Sequence, residues 1–229
     1  MTALTRPLPL RDEVFLLGHD GDTGHTHIHR QALALGLAGA VLIDLFLAGR
    51  VALGPNDPAR PAGDPHLYLH PRPKRPVGDL IADTAIASIR HAVTPPPLRG
   101  WLRGFSIDLY DRTRAALVTV GILHHQQRRR LAGLVRTDIY LPSHTRWQII
   151  PRARLCALAQ GREPPDNHTA ALAGLVAVLG LSDHLYLDDD TATLPARLRN
   201  VADQHYQPVR AILAAVDASV GDVATAAYR

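Results

Sequence analysis

Lysine, glutamate, cysteine and aromatic side chains are nearly missing from this chain of 229 residues. Lys74 is the one lysine, Glu13 and Glu163 are the two glutamates, and Cys156 is the one cysteine. A lone cysteine excludes an internal disulfide and suits a reducing compartment. Cys156 reads as a small buried hydrophobe rather than a reactive thiol. Aromatic residues make up 5% of the chain, while Ala and Leu dominate a hydrophobic share of 46%. β-Structure selects branched and aromatic side chains, so this balance favours helix. No apolar run reaches the roughly 20 residues that a membrane span needs. Ala32 to Ala48 comes nearest but carries Asp44, and Ala170 to Leu181 is shorter and runs into Ser182, Asp183 and His184. Both read as helices buried on all sides within a large core. The first ten residues hold Pro7 and Pro9 and no long apolar stretch, so no secretory signal is expected there.

Catalytic signatures are missing too. There is no G-x-S-x-G, no P-loop and no G-x-G-x-x-G, and Ser106, Ser143 and Ser182 stand isolated. Neither an enzyme nor a cofactor is expected. His25-Thr26-His27-Ile28-His29 is the one tempting constellation. On a strand, alternate residues share a side, so three imidazoles would face one metal. No H-E-x-x-H accompanies them to complete a site, so the segment reads as a polar turn and short strand beside a ligand-facing surface, without metal. Asp188-Asp189-Asp190 lacks the alternating oxygens, central glycine and terminal glutamate of a calcium loop. It reads as the cap of a helix over 194–202.

What the chain has is arginine. The net charge is +4, and between His124 and Arg154 lie Arg128, Arg129, Arg130, Arg136, Arg146, Arg152 and Arg154 against Asp138 alone. Such a run is either a solvated face or a docking surface for phosphates. Nucleic acid is the weaker partner, because the run lacks the interleaved aromatics on which single strands stack.

Periodicity and punctuation predict helices over 8–17, 32–48, from Asp79 to the prolines at 95–97, and over 108–120 with Gly121 as its stop. Further helices are expected over 147–159, 167–179, 194–202 and 209–218. Short extended pieces are expected at 51–53 and 66–69, and a β-hairpin over about 122–141. The Pro-rich loops are too short to link domains, so residues 1–229 read as one domain.

Four segments carry a resemblance. Leu8-Pro9-Leu10-Arg11-Asp12-Glu13-Val14-Phe15-Leu16-Leu17-Gly18, with Asp22-Thr23-Gly24 after it, is similar to an opening L-x-L-x-E-E-hhhL and acidic turn. The stretch from Gly36 to Val51 matches G-L-x-G-x-x-L-x-[DE]-L-x-L-x-G-R-h. Pro76 to Asp83 matches P-x-G-D-x-x-h-D, and Gly121-Ile122-Leu123 is similar to a G-V-L that precedes a hairpin. Together they resemble the Golgi phosphoprotein 3 family. The resemblance implies a mainly α fold: a central hydrophobic helix bundle ringed by amphipathic helices, with a few short strands and one protruding hairpin. It implies a cytoplasmic, peripheral membrane adaptor that binds phosphatidylinositol 4-phosphate and self-associates through the hairpin, with a membrane-protein partner as a further possibility. The rival reading is a self-assembly scaffold without lipid binding. The absence of a basic N-terminal tail makes the chain look like a bacterial relative.

The departures from the family fall on its lipid pocket. The family's Trp aligns with His29, its first Arg with Ala38, and its two later basic residues near Ile107 and Tyr110. The head-group contacts expected here are therefore His29, Arg30, Tyr110, Arg112 and Arg114, with weak selectivity among anionic lipids and stronger binding in mild acid through His29. The hairpin residues expected to bury against another copy are Leu131, Leu134, Val135, Ile139 and Leu141.

Overall fold

The computed structural model describes residues 7–55, 63–71, 75–130, 135–162, 166–185, 196–198, 200 and 207–227. Its architecture is mainly α, with two small antiparallel two-stranded sheets. The helices are α1 (Leu10–Leu17), α2 (Arg30–Leu47), α3 (Leu80–Arg90), α4 (Leu98–Phe105), α5 (Leu109–Thr119), α6 (Arg146–Ala159), α7 (Asn167–Val178) and α8 (Gln207–Ala227). The sheets pair β1 (Val51–Gly54) with β2 (His66–Leu69), and β3 (Leu123–Arg130) with β4 (Val135–Pro142).

α2 is the axis of the molecule. It packs against α1, α3, α4, α5, α7 and α8, which bury Ala32 to Ile43 without interruption. Two glycines one turn apart set how closely its neighbours approach. A β-carbon on Gly36 would meet Leu179 Cδ1 at 2.5 Å, and one on Gly39 would meet Val216 Cγ2 at 2.5 Å. The helix is long and apolar enough to cross a membrane, yet most of it is buried inside the fold. The carboxylate that broke the apolar run has a structural use: Asp44 Oδ2 accepts the Leu10 N–H at 2.9 Å and so anchors the first turn of α1.

α3 begins where the sequence placed it, because Asp79 caps it by accepting the Ala82 N–H at 2.8 Å. Gly121, at φ 74°, turns the chain from α5 into the hairpin, a conformation that a β-carbon disfavours. The segment expected as a histidine strand is a loop instead. Asp20 Oδ1 accepts the Thr23 N–H, and His27 N–H bonds to Gly18 O, so the backbone folds back on α1 after one bridge, His19 to Thr26. The last helix starts two residues early and runs past 218 to 227. Pro208 at its second position has the φ a first turn needs and lacks only an N–H that would go unused there. Asp188 to Asp190, and most of the helix expected over 194–202, lie outside the described residues.

Candidate functional site: an arginine–tyrosine pocket

A cavity of about 160 Å³ opens where α1, α2, α5 and β4 meet the turn at 23–25. Phe15 and His19 come from α1 and the residues just after it, Arg30 from the first position of α2, and Tyr110 and Arg114 from α5. Asp138, Ile139 and Tyr140 of β4 close the remaining wall.

His19 holds the floor. Burial pushes its ring down to about 4, so it is neutral at ordinary pH and carries one N–H. Nδ1 lies 2.6 Å from Phe15 O, which can only accept, so Nδ1 donates there. Nε2 is then left to accept the Tyr110 hydroxyl at 2.8 Å. Tyr110 thus sends its hydroxyl inward and offers its ring face to the pocket. Arg30 sits 4.9 Å from that ring's centroid and Arg114 5.7 Å, with Arg114 also 4.4 Å from the Tyr140 ring. Aromatic faces hold guanidinium groups without consuming their N–H donors. One Arg114 nitrogen pairs with Asp111 at 2.7 Å, which steadies the side chain.

Arg30, Tyr110 and Arg114, three of the five residues expected from the sequence, converge here. The other two do not line the cavity. Arg112 lies over the Phe105 ring at 5.7 Å. His29 caps α2, its Nδ1 accepting the Gln31 N–H at 3.3 Å. Ala38 is wholly buried and cannot reach a ligand, whereas Ile107 is 81% exposed.

Sequence reasoning missed Phe15, His19 and the β4 wall. Phe15 and His19 stand four residues apart, the spacing that stacks two rings along one helical face, and their centroids are 4.2 Å apart. The wall depends on strand register, which no local pattern fixes. The three histidines expected on one strand face go three ways. His25 lines the pocket, His27 stacks on His184 at 4.2 Å, and His29 caps α2. Among the described residues no group of three or more His, Cys, Asp or Glu side chains is placed to hold a metal.

Of the hairpin residues, Leu131 and Leu134 lie outside the described residues, and Val135 opens β4. Ile139 is 8% exposed and faces Gly24 with Leu141. Ile139 therefore packs against its own chain.

Two buried titrations oppose each other. The unfolded chain protonates His19 near its ordinary 6.5 and the folded chain only near about 4, so this group's stabilisation is lost as pH falls through that window. Asp44 is the reverse. Burial raises it from 3.8 to about 6, so its stabilisation is present below 3.8 and is lost as pH rises through 6. Each shift corresponds to about 3 kcal/mol. Their sum is nearly flat between pH 4 and 6. Asp44→Asn will expose the His19 term, and its urea midpoint will fall steeply from pH 6.5 to 4. A variant profile parallel to that of the unaltered protein would refute the balance.

Fold and pocket together define a mainly helical domain with a cavity lined by two arginines and two tyrosines. Residues 10–223 match the family model Golgi phosphoprotein 3 (GPP34). The chain belongs to the Golgi phosphoprotein 3 family.

Proposed function

We propose that this domain is a peripheral membrane module, not an enzyme, that takes a phosphate of an anionic lipid head group between Arg30 and Arg114. The observation that carries the reading is the pair of guanidiniums held on one Tyr110 ring at the N-terminal end of α2. Arg114 keeps N–H donors beyond the one on Asp111, Arg30 adds a second guanidinium, and the start of an 18-residue helix adds its own positive end. Family membership supports the same ligand class, with phosphatidylinositol 4-phosphate as the family's own lipid.

The cavity's size argues for modest selectivity. At about 160 Å³ it admits a phosphate group but falls below the usual range for enclosing a whole head group. With each basic contact worth about 1 kcal/mol at an anionic surface, removing two should weaken binding roughly 30-fold. Flotation on vesicles matched in total charge, with phosphatidylserine or phosphatidylinositol 4-phosphate, tests this. Binding to both is expected, falling as salt rises, with the Arg30→Ala and Arg114→Ala double variant lost from both. Undiminished flotation of that variant would refute the site. Tight, salt-resistant binding to the 4-phosphate lipid alone would refute the modest selectivity.

Self-association is a second reading, favoured by the exposure of the hairpin from His125 to Gln127, beyond the contact of β3 with α5. Replacing residues 130–135 by a two-residue turn leaves Asp138, Ile139 and Tyr140 in place. The expected result is a solution mass of one chain for the variant and a multiple for the unaltered protein. Equal masses would remove the hairpin from the account.

A further inference from the structure

A second cavity of about 420 Å³ lies at the other end of α2, lined by Pro7, Leu8, Val41, Asp44, Leu45 and Ala82 among others. Asp44 is fourteen residues along α2 from Arg30, about 21 Å at 1.5 Å per residue, so the two cavities are separate. We propose that this second cavity binds a small organic ammonium ion, its charge on the Asp44 carboxylate and its apolar body against Val41, Leu45 and Ala82.

The ion pairs around Asp44 leave it out. Arg11 is fully engaged: its Nε donates to Asp12 at 2.8 Å and its two terminal nitrogens fork onto Asp79 at 2.9 Å each. Arg154 is bonded to Glu13, which also takes His168 Nε2 at 3.1 Å. Asp44 is left with the Leu10 N–H on Oδ2, and among the described residues no cation pairs with it. Among the described residues these pairs match Arg11 with Asp12 and Asp79, and Arg154 and His168 with Glu13, and they leave Asp44, which lines the cavity, short of a cation.

The surrounding walls decide what kind of cation fits. Val41, Leu45, Ala48, Val77 and Ala82 with the two prolines, Pro7 and Pro9, offer hydrocarbon, not oxygen ligands, which suits an alkyl or cycloalkyl ammonium rather than a bare metal ion. The volume falls within the range of small-molecule sites. The same shortage shows in the carboxyl itself, which burial raises to about 6 while His168 and Arg11 pull it only part of the way back and Asp12 pushes it further up. A bound ammonium and a proton compete for Asp44. Affinity therefore falls as pH drops below about 6, with Arg11, Asp12, Asp79 and His168 as the other titratable groups facing it.

Three probes of one shape test the proposal by calorimetry: cyclohexylammonium, cyclohexanol and cyclohexanecarboxylate. One equivalent of the ammonium is expected to bind at least tenfold more tightly than the alcohol, and the carboxylate not at all. Asp44→Asn keeps an oxygen for the Leu10 N–H and should erase the ammonium's advantage while leaving the alcohol unchanged. Ala82→Leu should block both from the apolar side. The Arg30→Ala and Arg114→Ala double variant should bind the ammonium normally, so failure of the lipid site and failure of this one are distinguishable. Equal affinity for all three probes, no detectable binding of the ammonium, or an Asp44→Asn variant that still prefers it would each overturn the assignment.

Discussion

Arg11→Met is expected to cost the fold about 3–5 kcal/mol, the usual consequence of removing one partner from a buried ion pair. Arg11 is 3% exposed and Asp12 6%, so neither charge has water to fall back on. Burial pushes the Asp12 carboxyl up, and Arg11 is what pulls it back. Without the guanidinium, Asp12 must take a proton or open the first turn of α1 to solvent. The loss also frees Asp79, whose carboxylate caps α3 while it accepts the Arg11 fork, so two helix starts depend on one side chain. Urea unfolding at pH 7 measures the cost. Arg11→Met combined with Asp12→Leu should recover part of it, because the uncompensated charge is then gone. A single variant within 1 kcal/mol of the unaltered protein would mean that the pair is solvated.

Phe15→Ala should be as severe, about 3–5 kcal/mol for a buried aromatic cut to a methyl. Phe15 is 2% exposed, stacks on His19 at 4.2 Å and tilts against Tyr110 at 5.3 Å. Its loss opens a void directly beneath the arginine–tyrosine pocket. Water admitted there rehydrates His19, and the acid side of the stability profile should flatten as the ring's protonation moves back toward 6.5. Phe15→Leu separates the two effects. It should restore most of the stability but not the ring stack. If Phe15→Ala lowers stability by less than 1 kcal/mol, or leaves the His19 titration near 4, the floor is not built as described.

The helices were legible because their signals are local. Asp79 before an apolar-periodic run and glycine after another mark the start of α3 and the end of α5 without reference to anything distant. The hairpin was legible from alternation and its flanking turns. The loop at 25–29 was not, because its hydrogen bonds run back to residues 18–20 and override the alternation of HTHIH. The pocket was half legible. Arg30, Tyr110 and Arg114 stood out as basic and aromatic residues near the resemblance motifs. Asp138 and Tyr140 depend on how β4 registers against β3 and where α5 delivers the pair. The charges around α1 were visible as a helix start that favours acidic residues. Their burial was not, since Arg154 and His168 come from more than a hundred residues away.

The centrality of α2 also has a bearing on how the protein is made. The helix is complete at residue 47, but α8, which covers Gly39, begins at residue 207. At roughly 5–20 residues per second, a ribosome needs on the order of 10–30 s to supply that cover. Through that interval an 18-residue segment with a mean hydropathy of 1.6 waits near the front of the nascent chain, where it matches a membrane-insertion signal in length and composition. Asp44 is the one charge within its apolar stretch, but it stands three residues from the end of the segment, where a carboxylate reaches the bilayer interface at little cost. The packing of later helices over α2, rather than a charge within it, is thus what takes this segment out of reach of a membrane.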